Sequence, residues 1–199
     1  MESYIPHKTP NKVFDNLKHI IKDKSFFEIG YGWGFTLNYL KNNFNIKKLG
    51  GVEYRKEQYN YCKEKFEYDV ILGDALKTTI PTDYDIYYWW STFTLNQHIE
   101  LIEKNNKGII IISFWISSPV CHTCNNKKSN DTPCCRCCIS TCKGCGVEIK
   151  GINICKELQK KYNCQLIETY YNEKDEYSIH KCRTSGLFRS LIINFKDKL

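Results

Sequence analysis

Apolar and polar positions along the chain fall into two alternating rhythms. Val13, Phe14, Leu17, Ile20 and Ile21 recur at helical spacing and predict one helix from Asn11, with Asn11 as its N-cap. Ser25 to Ile29 reads as a short buried strand running into Gly30, Gly32 and Gly34. Helical patterns follow over Phe35 to Asn43, Lys56 to Phe66 and Leu95 to Lys104. Strand-like runs cover Leu49 to Tyr54, Asp69 to Leu72, Tyr84 to Trp90 and Gly108 to Trp115. This alternation predicts an α/β domain, doubly wound around a parallel sheet by right-handed crossovers. A helix over about Lys150 to Tyr162 and strands over Gln165 to Tyr171 and Leu187 to Phe195 complete the pattern. No helical pattern separates these last two strands. The expectation is therefore a mostly parallel seven-stranded sheet with one reversed strand near its edge.

Residues 1–10, with Pro6 and Pro10, read as a flexible lead-in. Residues 11–199 read as one α/β domain interrupted over 117–146, where apolar residues are few and cysteines many. Hydrophobic residues make up 42% of the 199 positions and charged residues 26%, enough to bury a core and exclude wholesale disorder. No apolar run approaches the roughly 18 residues that cross a bilayer. The N-terminus lacks a charged region followed by an apolar stretch, so the expected localisation is cytoplasmic. Lys and Arg number 29 against 22 Asp and Glu, a formal charge of +7. Lysine is abundant together with asparagine, isoleucine and tyrosine, while Ala75 is the lone alanine, a bias typical of A/T-rich coding sequence. The charge permits an acidic partner without demanding one.

The richest segment for chemistry is Glu28-Ile29-Gly30-Tyr31-Gly32-Trp33-Gly34-Phe35. A strand, then glycines, then a helix lets backbone approach a ligand and aims a helix N-terminus at its anionic part. A dinucleotide fingerprint would need glycine where Phe35 stands, and no Gly-Lys-Ser/Thr follows for a phosphate-binding loop. What fits is Glu-x-Gly-x-Gly-x-Gly at Glu28, Gly30, Gly32 and Gly34. Here the chain resembles the class I S-adenosylmethionine-dependent methyltransferases. Downstream, Gly51-Val52-Glu53-Tyr54 ends the second strand, Gly73-Asp74-Ala75 ends the third, and Asp83-Tyr84-Asp85-Ile86-Tyr87 opens the fourth in that family's manner.

The resemblance covers about residues 11–116 and 150–196 and implies S-adenosylmethionine as cofactor. Gly30, Gly32 and Gly34 would lie against its methionine part, with Glu28 near the ammonium group. Glu53 would accept from both ribose hydroxyls. Tyr54 would stack on the adenine, and Asp74, beside Ala75, would accept from its amine. Asp83 and Asp85 stand at the amino end of their strand and read as structural, since open α/β sheets bind ligands at carboxyl ends.

The acceptor should lie over Tyr88-Trp89-Trp90-Ser91-Thr92. The Asp/Asn-Pro-Pro-Tyr/Phe motif of enzymes that methylate DNA amino groups is missing there. Adjacent tryptophans on a strand point to opposite faces, so either both belong to the core or one does and the other, with Trp90 the candidate, borders the cofactor or a planar or cationic substrate. His98, on the following helix, is the histidine best placed for base chemistry, although such a residue is commonly only a partly exposed helix position. No catalytic residue is assigned.

Twelve cysteines are present, eight of them between Cys121 and Cys145. Cys121/Cys124, Cys134/Cys137, Cys135/Cys138 and Cys142/Cys145 form C-x-x-C pairs that suit tetrahedral metal sites in a reducing compartment. Zinc is the expected ion, one or two per chain. A bridged cluster, an iron–sulfur centre, disulfides or a loop of reactive thiols are the other readings. Lys127, Lys128, Arg136 and Lys143 accompany Asp131, so a metal-stapled knuckle could recognise RNA or an acidic protein segment, or serve as a lid. Cys62, Cys155, Cys164 and Cys182 read as small buried hydrophobes.

The reading is a methyltransferase acting on an unidentified acceptor, nucleic acid or protein. The chain is short, so a partner subunit is expected to help recognition. The rivals are a catalytically silent scaffold of the same fold and a metal-buffering or redox role for the cysteine segment.

Overall fold

A computed structural model describes residues 9–90, 92–116, 145–172 and 185–195, with backbone alone at 115–116, 145–152, 170–172 and 185–187. The strands are β1 (Ser25–Ile29), β2 (Lys48–Glu53), β3 (Asp69–Leu72), β4 (Ile86–Trp90), β5 (Ile109–Ile116), β6 (Gln165–Asn172) and β7 (Ser185–Asn194). The helices are α1 (Asn11–Asn16), α2 (Lys18–Ile21), α3 (Phe35–Asn43), α4 (Lys56–Lys65), α5 (Leu95–Lys104) and α6 (Cys145–Lys161).

The strands form one sheet in the order β3-β2-β1-β4-β5-β7-β6. β1 pairs in parallel with β2 and β4, and β7 runs antiparallel to both β5 and β6. The expected doubly wound sheet with one reversed strand next to its edge is therefore present. β1 lies inside the sheet between β2 and β4 and is buried along its whole length, which is why Ser-Phe-Phe-Glu-Ile shows no polar–apolar alternation.

Each face of the sheet carries its own core. Phe27, Ile29, Tyr87 and Trp89 pack with Leu101 and Ile102 of α5 and Leu158 of α6. Phe26 and Tyr88 pack on the other face with Val13 and Phe14 of α1, Leu37 and Leu40 of α3, and Cys62 of α4. α5 starts at a reciprocal cap, Thr94 accepting from the Gln97 N–H while the Gln97 side chain accepts from Thr94 N–H.

Three local expectations need correction. The helix expected from Asn11 is two short ones that break at Leu17, and Pro10, not Asn11, holds the N-cap position. The last helix starts at Cys145, not Lys150. Of the lead-in, residues 1–8 lie outside the described residues, but Thr9 is buried, its Oγ1 2.5 Å from the Tyr88 hydroxyl.

Among the described residues no helix is long and apolar enough to cross a membrane.

Candidate functional site

The carboxyl ends of β1 and β2 build the site. After β1 the chain turns through Gly30, Gly32 and Gly34 at φ of 77°, 58° and 72°, backbone that favours glycine. A Cβ built at Gly30 or Gly32 meets nothing within 4 Å, so this side of the loop is open. At Gly34 a Cβ would stand 2.9 Å from Cys62 Sγ, so α3 and α4 can meet there only without a side chain. The close approach that a glycine at position 35 would have supplied is made by Gly34, and Phe35 turns outward, 47% exposed.

Side chains from β2 and α4 fix the loop from beneath. Gly32 N–H donates to Glu53 Oε2 at 2.9 Å, and the Cys62 thiol donates to the Gly32 carbonyl at 3.7 Å. Arg55 N–H donates to Glu53 Oε1 at 2.9 Å. With its amide oriented to suit both neighbours, Gln58 donates to Glu53 Oε1 at 3.3 Å and accepts from Trp33 Nε1 at 3.2 Å. Neither Gln58 nor the thiol contact of Cys62 was legible as part of the site. Both sit on α4 at positions whose meaning depends on how α4 packs against the loop.

Glu28 is buried beneath the same loop, and its Oε2 has no hydrogen-bond partner. Burial raises its pKa from 4.5 to about 8, with the Glu53 charge adding to the shift and a hydrogen bond from Thr36 opposing it. The carboxyl thus holds its proton at neutral pH until a cation approaches. Burial likewise pushes the Cys62 thiol up to about 12, with help from Glu28 and Glu53.

The structure bonds Gly32 to Glu53, while Glu28 lies near the end of β1, just before the turn through Gly30, Gly32 and Gly34, and its carboxyl pairs with Thr36. Tyr54 follows β2 and is 76% exposed, with no ring stacked on it among the described contacts. Asp74 follows β3, its Oδ1 accepting from Leu76 N–H at 3.0 Å, and Ala75 beside it is buried. Trp90 is half-buried and meets the Phe188 ring edge-on at 5.7 Å, while Trp89 is fully buried on the opposite face.

His98 is not a partly exposed helix residue. It is completely buried, stacked on Trp89 and flanked by Phe93 and Phe114. Its Nδ1 accepts from Trp89 Nε1 at 2.9 Å, and burial pushes its pKa down to about 4. The one nitrogen able to take a proton is already occupied, so His98 is a packing residue and not a base.

Cys121, Cys124, Cys134, Cys135, Cys137, Cys138 and Cys142 lie outside the described residues, and only the backbone of Cys145 is described. Among the described residues no three His, Cys, Asp or Glu side chains converge as metal ligands. Cys62 and Cys155 are buried as expected, Cys164 is partly exposed, and Cys182 lies outside the described residues.

The residues fit a small molecule that carries an ammonium group and hydroxyls. Glu28 supplies an unpaired buried oxygen, the glycine faces leave space, and Glu53 stands at the neighbouring strand end.

No family model matches the chain, and no curated protein matches it in sequence. Solved structures do resemble it. A chain from the complex between the Haloferax volcanii Trm112 methyltransferase activator and a candidate methyltransferase superposes with a TM-score of 0.58 at 9% identity, covering 92% of this chain and 88% of the other. The cyclopropane synthase MmaA2 from Mycobacterium tuberculosis gives 0.55 at 11% identity, with 87% and 79% covered. Thermoplasma acidophilum protein 1320 gives 0.54 at 11% identity, with 92% and 86% covered. At such identities the likeness establishes the fold, a mixed seven-stranded α/β sheet matching that of the methyltransferases.

Proposed function

We propose that the chain is an S-adenosylmethionine-dependent methyltransferase acting on an unidentified nucleophilic acceptor, with RNA and protein the classes to screen first. One observation carries this reading. A buried carboxyl with an unpaired oxygen lies under a glycine loop whose outer faces are open, next to a second acid at the adjoining strand end. When bound, the cofactor supplies an electrophilic methyl group on a sulfonium. In this reading Gly30 and Gly32 meet its amino-acid part with backbone, and Glu28 faces its ammonium group. Glu53 accepts from the ribose, Asp74 beside Ala75 accepts from the adenine amine, and Tyr54 and Trp90 offer aromatic faces. His98 supplies no base, so the rate rests on positioning and on excluding water around the acceptor.

Two finer parts belong to the same reading. The likeness to a chain of the Trm112 activator complex supports a partner subunit for this protein as well. The four C-x-x-C pairs support one or two zinc ions held by the cysteine segment, a stoichiometry that elemental analysis of the purified protein measures.

The test is calorimetric titration of the metal-replete protein with S-adenosylmethionine, beside Glu53→Ala. Thermal melts of both are required, because Glu53 also holds the Gly32 N–H. Tight binding that the folded variant loses is the expected result, and no binding by well-folded wild type defeats the reading. The locked His98 favours a second reading, a scaffold that binds the cofactor and methylates nothing. An acceptor screen with radiolabelled cofactor separates the two.

A further inference from the structure

We infer that Glu53 offers a ribose-bearing ligand one acceptor site instead of two, and that Gln58 is the specificity-determining residue that sets this number. The inference rests on the cofactor reading above and revises one part of it, the paired acceptance of both hydroxyls.

A carboxylate has about four lone-pair sites, two on each oxygen. Three of those on Glu53 are already taken. Oε1 accepts from Arg55 N–H at 2.9 Å and from the Gln58 amide at 3.3 Å, and Oε2 accepts from Gly32 N–H at 2.9 Å. Trp33 dictates the amide orientation. Its indole N–H is a donor only, so the Gln58 oxygen must face it at 3.2 Å, which turns the Gln58 nitrogen toward Glu53. Tyr61 meets the Trp33 ring edge-on at 5.2 Å and braces that arrangement. Gln58 and Glu53 are both buried, so water does not compete freely for the remaining site on Oε2. Two of the three donors are backbone N–H groups fixed by the loop and the strand end. Only Gln58 can be removed by substitution without moving the chain.

A ligand with adjacent hydroxyls therefore places one of them on Glu53, and the other makes no bond to that carboxylate. The probes are S-adenosylhomocysteine and its 2′-deoxy and 3′-deoxy forms, titrated calorimetrically into the full chain. In wild type one deoxy isomer should lose about tenfold or more in affinity, the scale of a hydrogen bond to a charged acceptor, while the other stays within about threefold of the parent. In Gln58→Met the freed site on Oε1 accepts the second hydroxyl, and the previously tolerated isomer should then lose about tenfold relative to the parent. A merely structural Gln58 would shift all three ligands alike and leave their ratios unchanged, which overturns its assignment. Equal losses for both isomers in wild type overturn the single-site inference and leave the cofactor reading standing. Absence of binding by the parent compound defeats the cofactor reading, and this inference with it. The wild-type comparison needs no variant, so a Gln58→Met protein that fails to fold cannot rescue or sink it.

Discussion

Acidic side chains stand at both ends of the sheet, and the two ends treat them differently. At the amino end Asp85 accepts from the N–H and the hydroxyl of Ser25 at 3.0 and 2.9 Å, tying β4 to β1. Asp83 pairs with Lys48 at 2.9 Å, and Asp69 takes the same lysine at 3.3 Å and the Tyr84 hydroxyl at 3.2 Å. At the carboxyl end Glu28 keeps an oxygen with no partner in a buried place, and Glu53 spends its bonds holding a loop open. Acids that clamp strands have their charge answered within the protein. Glu28, the acid proposed above to meet a ligand, instead keeps a buried oxygen without a partner.

The largest effect that tests this contrast is the pH dependence contributed by Glu28. The unfolded carboxyl gives up its proton near 4.5 and the native one near 8, so between these values the native state holds the extra proton. Stability should then fall as pH rises through that window, by about 1.4 kcal/mol per pH unit. His98 works in the opposite sense. Unfolded it takes a proton near 6.5 and native only near 4, so its contribution is lost as pH falls between them. The two slopes oppose each other where the windows overlap, and Glu28 acts alone above 6.5. Urea denaturation from pH 6.5 to 8 should show a decline in wild type and a plateau in Glu28→Gln; equal slopes would break the contrast. Cofactor binding should also release a proton near neutral pH, measured by calorimetry in buffers of different ionisation enthalpy.

Next in size is Gly51→Ala. A Cβ there would lie 2.6 Å from the Glu28 carbonyl of the adjacent strand and 2.6 Å from the Tyr31 ring. Neither backbone nor a buried ring can yield freely, so a loss of about 3 kcal/mol in denaturant melts is expected. Cofactor affinity should fall too, because Tyr31 belongs to the glycine loop. Asp85→Ala should cost about 2 kcal/mol by stranding the buried Ser25 N–H, yet leave cofactor affinity unchanged. A matching loss of affinity in Asp85→Ala would show that the two ends of the sheet are not independent.

Much of this was legible because the relevant signals are local. β1 and its glycines, the acids ending β2 and β3, and the structural role of Asp83 and Asp85 all follow from position along a strand. The reversed strand followed from a missing helical pattern. What escaped was set by contacts between elements. The burial of His98 depends on Trp89, Phe93 and Phe114 closing around it, which helical spacing alone does not report. Gly50 and Gly51 read as an ordinary strand, yet Tyr84 packs where a Gly50 side chain would stand and Tyr31 where a Gly51 side chain would. Cys62 read as a small hydrophobe because nothing in its neighbourhood along the chain announces the Gly32 carbonyl.

The smallest expected effect belongs to Lys48→Met, and its smallness is informative. Lys48 Nζ meets two aspartates and lies 4.4 Å from the centre of the Tyr84 ring, a dense set of contacts for one side chain. The hydrogen bond to Asp83 is the main cause that raises its pKa, and Asp83 is lowered in turn. Yet the lysine and both carboxylates face solvent, where water and salt screen their attraction. The variant should therefore lose a little melting temperature at low salt, and much less at high salt, since added ions already do what the substitution does. Cofactor affinity should not move, because Lys48 begins β2 while Glu53 ends it. A salt-independent loss would mean that the ring contact with Tyr84 dominates, making the amino-end clamp a matter of packing instead of charge. That outcome would narrow the contrast between the two ends to burial alone.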